Sequence, residues 1–286
     1  MSPASAPHPT PPANVLSIAG TDPTGGAGIQ ADLKTFGALG AYGMAVVTAV
    51  VAQNTQAVRM VSPLTPELVQ AQLEAVFEDV TVAAVKIGMV ANAGIAEAIA
   101  EVLTRHRPPF VVFDPVMAAS THKRLMNESD LERIRTVLLP QVSLLTPNLK
   151  EAARLLGIAQ PVDEAGMRAC LPALQALGVP NVLLKGGHLA DDTPDAPEST
   201  DLLATPEGVI RLSAPRIATR HGHGTGCTLS SAIAALWPQH GLEKATRMAK
   251  DYVHGALLHA DALQVGHGRG PLHHFWQAVH LPGQLA

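Results

Sequence analysis

The sequence predicts an α/β fold, a three-layer α/β/α sandwich wound in the right-handed sense around a mostly parallel central sheet. Three observations carry this. Short runs rich in Val, Ile and Leu recur along the chain and are apolar on both faces, as strands covered on both sides are. Amphipathic segments with helical spacing lie between them. The 286 residues, 47% hydrophobic and 15% charged, suffice for a large apolar interior within one domain.

In chain order, the strand readings are Asn14–Gly20, Met44–Val51, Ala83–Met89, Phe110–Val116, Ser143–Asn148 and Asn181–Gly187. Thr65–Val80 and Asn92–His106 read as helices, the first opened by Pro66 directly after Thr65, a favoured N-terminal pair. Asp201–Leu212 reads as a hairpin around Pro-Glu-Gly, and two helical segments follow it. The polar, proline-bearing stretch His188–Thr200 reads as a mobile loop, and residues 1–13 as a flexible Pro-rich tail. Residues 14–286 are expected to form a single domain.

Composition removes several classes of function. A net charge of −4 with scattered Lys and Arg argues against a nucleic-acid binder, which would show a basic stripe. The longest charge-free stretch, Phe36–Asn54, is interrupted by glycines and reads as a buried helix end and strand, not a membrane span. Two cysteines make no disulfide framework, and the N-terminus has no secretory pattern, so a reducing cytoplasm is expected. The 13 histidines form no zinc pattern, and Cys170, inside a helical segment, is expected in the core.

In parallel α/β folds ligands sit at the carboxyl ends of strands, where four unusual stretches fall. Ala19–Lys34 is a Gly-rich turn into a helix, read either as close backbone approach to an anion or as a tight connection, and it lacks the Lys-Ser/Thr of a Walker loop. Val50–Thr55 ends in two amides; Gln53 reads either as a bidentate partner for a heterocycle edge or as a satisfied strand-end residue. Asp114 ends a strand and suits a metal–nucleotide complex, while Asn148 and Glu151 either face one pocket or form a capping box. Gly224–Cys227 precedes a helix, where converging N–H groups make an anion hole for a phosphoryl group in transfer. Cys227 reads either as a base or nucleophile of lowered pKa, or as a small buried helix residue.

Together these stretches resemble one family. AGTDPTGGAGIQADLKTFGALGAYGMAVVTAVVAQNT, KIGM, TPNLKEA, LLKGGH, HGTGCTLSSA and VGHGRGPLHHF are similar to hydroxymethylpyrimidine/phosphomethylpyrimidine kinase of thiamine biosynthesis, within the ribokinase-like superfamily. The resemblance covers the chain from about Asn14. It implies a ribokinase-like fold, ATP and Mg2+ as cofactors, and phosphorylation of 4-amino-5-hydroxymethyl-2-methylpyrimidine and then of its monophosphate. It further implies that Gln53, Gly20, Ala27, Val51, Met89 and Asp32 form the pyrimidine pocket. Asp114, Asn148, Glu151 and Lys185 would handle the nucleotide phosphates, with Asp114 and Glu151 reaching the metal through phosphates or water. Gly224, Thr225, Gly226 and Cys227 would form the catalytic hole, Cys227 standing where most sugar kinases of the superfamily have an aspartate base. A homodimer is expected, with no nucleic-acid or membrane partner. A pyridoxal or pyridoxine kinase of the same branch, or a non-catalytic pyrimidine-binding protein, are the rival readings.

Overall fold

A computed structural model describes residues 11–117, 128–187, 189 and 198–277. Eight strands build the main sheet: β1 Asn14–Ala19, β2 Tyr42–Val47, β5 Ala84–Ile87, β6 Val111–Phe113, β7 Leu144–Leu145, β8 Asn181–Lys185, β9 Glu198–Thr205 and β10 Gly208–Pro215. Their order is β10-β9-β8-β7-β6-β5-β1-β2. The pairings from β2 to β8 are parallel, and β9 and β10 extend the sheet as an antiparallel hairpin. Two further strands, β3 Ala49–Gln53 and β4 Val58–Pro63, form a separate two-stranded antiparallel sheet.

The expected run Met44–Val51 is thus two strands. Thr48 breaks it: its N–H returns to Ala19 O and its hydroxyl donates to Met89 O at 2.6 Å, so the chain leaves the main sheet there. The chain then resumes as β3, with Val51 and Gln53 on one face, since strand side chains alternate.

Eight helices cover the sheet among the described residues. They are α1 Gly28–Ala38, α2 Pro66–Phe77, α3 Ala93–His106, α4 Glu128–Arg133, α5 Leu149–Leu156, α6 Glu164–Gln175, α7 Thr225–His240 and α8 Leu242–Leu258. The Thr65–Pro66 signal acts as read, Thr65 accepting from Leu68 N, and Asn92 caps α3 in the same way by accepting from Ile95 N. Alternate residues of each strand enter opposite cores. Leu16, Val85, Val111 and Phe113 pack with α2, α3, α5 and α6, whereas Val15, Ala84 and Val112 pack with α1, α7 and α8. That alternation into two apolar layers is why the strand sequences carry no polar face. Cys170 lies in the first core, as expected.

The predicted hairpin is longer than its sequence signal, since residues 198–200 already belong to β9. Most of the rest of the stretch expected as a mobile loop, His188 and residues 190–197, lies outside the described residues, as do residues 1–10 of the expected tail. Among the described residues no helix is long and apolar enough to cross a membrane.

Candidate active site

Strand order reverses about β1, which has β2 on one side and β5 on the other, and a cavity of about 540 Å³ opens at the carboxyl ends of the strands there. Gly20 follows β1, Met89 follows β5, Asp114 follows β6, Asn148 follows β7 and Lys185 closes β8, and all five line this cavity.

At one end the wall is apolar. Val51 and Met89 pack with Ala49 in a small cluster of their own, separate from the two main cores. The tip of Met89 rests over Gly20, where a Cβ would stand 2.3 Å from Met89 Cε. Thr21 ties this wall to β3, its N–H donating to Ala49 O at 3.0 Å and its hydroxyl accepting from Val51 N at 2.9 Å. Gln53, at the end of β3, lines the same end of the cavity.

The middle is made by two glycine-rich helix starts. Gly224 caps α7 with φ 84°, and a Cβ there would lie 1.8 Å from Gly26 O, so the loops before α1 and α7 touch through glycine. The first main-chain bond within α7 is Thr228 N to Gly224 O, so the N–H groups of Thr225, Gly226 and Cys227 precede the helix ladder and form the positive end of the dipole. Asp22 clamps the loops together. Its carboxylate accepts from Gly26 N, Ala27 N, Thr24 N and the Thr24 hydroxyl, and pairs with His223 Nε2 at 2.7 Å. Burial acts to raise the Asp22 carboxyl, but the bonds from His223 and Thr24 hold it well below the usual carboxylate range.

At the far end Lys185 Nζ reaches Asp114 at 2.7 Å. Gly226 lets the helix start approach this pair: a Cβ on it would lie 3.1 Å from Lys185 Nζ and 3.2 Å from Asp114 Oδ2. Burial opposes the lysine charge, yet Asp114 and Glu151 hold it above the usual lysine range. Asn148 and Glu151 do form a capping box at α5, with Glu151 Oε2 accepting from Asn148 N at 2.8 Å. They line the cavity as well, so the two sequence readings hold together. Burial, with Lys185 opposing and Asp114 adding, pushes the Glu151 carboxyl up.

One expectation needs correction, and one of the two open readings of Cys227 is disfavoured. Asp32 is fully buried and is not among the lining residues; it lies behind the wall, accepting from Lys86 Nζ at 2.8 Å and from Ser17 and Ser231. Lys86 is the member of this pair that reaches the cavity. Cys227 lines the cavity, but its thiol is pushed up to about 11, not down. Desolvation is the largest cause, Asp32 and Asp114 add to it, and Lys86 and the Gly28 N–H only partly offset them.

The sequence reading passed over Lys86, the Asp22–His223 pair and the Asp201–Lys250 pair, which also lines the cavity at 2.6 Å. The signal for Lys86 was present: a lysine inside an otherwise apolar strand needs a buried partner. No local pattern announces His223 and Asp22, which are 201 residues apart.

A family model described as phosphomethylpyrimidine kinase matches residues 22–273. The hydroxymethylpyrimidine/phosphomethylpyrimidine kinase of Salmonella typhimurium is 53% identical over 92% of this chain and 97% of its own length, and that of Escherichia coli is 52% identical over the same shares. Among solved structures, the Bacillus subtilis pyridoxal kinase in complex with ADP superposes with a TM-score of 0.85 at 30% identity, covering 94% of this chain and 99% of that one. The Clostridium difficile phosphomethylpyrimidine kinase superposes with a TM-score of 0.74 at 38% identity, over 85% and 99%. The sandwich is the ribokinase-like fold that the motifs implied, and the chain belongs to the phosphomethylpyrimidine kinase family.

Proposed function

We propose that residues 14–286 act as one ATP-dependent kinase domain. It phosphorylates the hydroxymethyl group of 4-amino-5-hydroxymethyl-2-methylpyrimidine and then the resulting monophosphate, giving the diphosphate for thiamine biosynthesis. The observation that carries this reading is that one cavity joins the apolar Gln53/Met89 end, the open start of α7 and the Asp114–Lys185 pair.

Gln53 presents a donor and an acceptor on one planar group, the pattern needed for an aminopyrimidine edge. Val51 and Met89 flank the ring, with Gly20 and Ala27 leaving it room. The N–H groups of Thr225, Gly226 and Cys227 neutralise charge on the phosphoryl group in transfer, and Lys185 adds a fixed positive charge beside them. Gly226 keeps that charge close. Cys227 holds its proton at neutral pH, so it is not a ready thiolate base. In a loose transition state the attacking oxygen needs little help before transfer, and the proton leaves late.

Mg2+ fits the donor set. Among the described residues no group of three or more His, Cys, Asp or Glu forms a protein cage for a metal. Two cavity carboxylates, Asp114 and Glu151, are what this ion commonly takes from a protein when phosphates and water supply the rest. Bound there, it would neutralise the nucleotide phosphates. The domain is proposed to work in the cytoplasm as a homodimer, without nucleic-acid or membrane partners.

A second reading has a specific observation in its favour: pyridoxal kinases of Bacillus subtilis and Staphylococcus aureus share the fold at 30% identity. ADP release measured in parallel on the pyrimidine, its monophosphate and pyridoxal decides. The proposal expects turnover of both pyrimidines and a much lower kcat/KM for pyridoxal. Binding without ADP release would return the protein to the non-catalytic reading, and a preference for pyridoxal would reassign it.

A further inference from the structure

Within the motif Val265–Phe275, residues 266–270 bridge the β3–β4 hairpin and the loop before α7. At one side they grip the tip of the β3–β4 hairpin: Gly268 N donates to Thr55 Oγ1 at 3.1 Å and Arg269 N to Thr55 O at 3.0 Å. The contact is close enough to need glycine, since Cβ atoms on Gly266 and Gly268 would lie 2.3 Å from Thr55 Oγ1 and 2.1 Å from Thr55 O. At the other side Gly270 O accepts from His223 N at 3.0 Å. Residue 269 is therefore pinned between the hairpin that carries Gln53 and the loop that runs into α7.

From that position the Arg269 side chain lies across Gly222, where a Cβ would stand 2.7 Å from its Nη2, and it lines the cavity. Gly222 is two residues before the α7 cap, so the guanidinium stands beside the loop that leads into the anion hole. Three other cavity cations are paired with carboxylates, Lys86 with Asp32, Lys185 with Asp114 and Lys250 with Asp201, and Arg216 donates to Gly187 O at 3.5 Å. Among the described residues the Arg269 guanidinium has no carboxylate and no other acceptor. It is an uncompensated, forked donor on the cavity wall.

We infer that Arg269 binds the phosphate of the monophosphate substrate, and so serves the second phosphorylation and not the first. The inference rests on the two-step reading above. A phosphate monoester brings charge and planar acceptor pairs that the alcohol lacks, and a guanidinium fork matches them two bonds at a time. The first substrate offers this group nothing to bind.

The test compares wild type with R269A and R269K, using steady-state KM and kcat for the pyrimidine alcohol, its monophosphate and ATP. Arg269 is exposed, so its replacement leaves both cores intact. Loss of a charge-assisted pair of bonds is expected to raise KM for the monophosphate about tenfold or more. KM for the alcohol and for ATP stays within about twofold, and R269K falls between. A monophosphate KM unchanged in R269A, or an equal rise for both acceptors, overturns the assignment. Turnover of both acceptors by wild type upholds the two-step reading whatever the variants do, and its absence sinks that reading instead.

Discussion

Replacing Gly224 by alanine puts the anion hole itself under load. The new Cβ would stand 1.8 Å from Gly26 O, whereas Cβ contacts below 3.0 Å are essentially never seen, so the two loops must part by about 1.2 Å. The φ of 84° adds left-handed strain of about 1 kcal/mol for a side-chain residue. Neither loop moves cheaply, because Asp22 binds Gly26 N, Ala27 N and His223 at once. The displacement therefore falls on the first turn of α7, whose residues Thr225–Cys227 line the cavity. A shift of about 1 Å in a positioning element costs on the order of a hundredfold in rate, as does loss of one oxyanion-type donor. Stopped-time ADP assays on G224A should show kcat reduced about 100-fold, with KM for the pyrimidine changed far less. Thermal melting run alongside checks that the variant is folded at the assay temperature. A folded G224A with kcat within threefold of wild type would refute the argument that these main-chain groups carry the transfer.

Three further outcomes follow from buried groups. Alkylation of Cys227 by iodoacetamide, followed by peptide mapping, should keep accelerating to pH 10 and beyond, because a thiol at about 11 is roughly one part in a thousand thiolate at pH 8; a plateau below pH 9 would restore the ready thiolate. His274, whose Nε2 meets Thr228 Oγ1 at 3.1 Å, is pushed down to about 4 by burial, aided by Lys34 and His273. The unfolded chain then takes up this proton first as pH falls, so stability present above about 6.5 is lost toward 4. Urea unfolding should show wild type losing about 2 kcal/mol more than His274→Gln between pH 7 and 4.5, and identical losses would contradict the assignment. Lys86→Met strands the Asp32 carboxylate without its cation and should cost about 3–5 kcal/mol, most of it recovered in the Lys86→Met/Asp32→Asn double variant. Additive losses in a double-mutant cycle would show that the pair is not coupled.

Much of this architecture can be read along the chain because strands buried on both faces leave a distinctive mark. Val15 and Leu16 serve opposite layers, so neither face of β1 is free to be polar. The cavity residues were legible for a similar reason: a strand end, a glycine turn or an amide pair is a local pattern with a local cause. What stayed hidden depends on who arrives from elsewhere. Thr48 turns the chain out of the sheet only because Ala19 O and Met89 O are there to receive it. Asp32 lies one layer behind the pocket because Lys86, Ser17 and Ser231 converge on it from β5, β1 and α7. Cys227 sits at a helix start, which by itself favours the thiolate. Desolvation by the cavity wall and two carboxylates, Asp32 on α1 and Asp114 after β6, reverse the sign, and no local pattern reports that.

The central claim is that one cavity performs both transfers. The most direct measurement follows a single reaction by phosphorus NMR, with the pyrimidine alcohol limiting and ATP in excess, while ADP is counted. The account predicts that a monophosphate signal rises and then gives way to a diphosphate, with two ADP formed for each pyrimidine consumed. A reaction that halts at the monophosphate with one ADP, or that leaves the alcohol untouched, would contradict it.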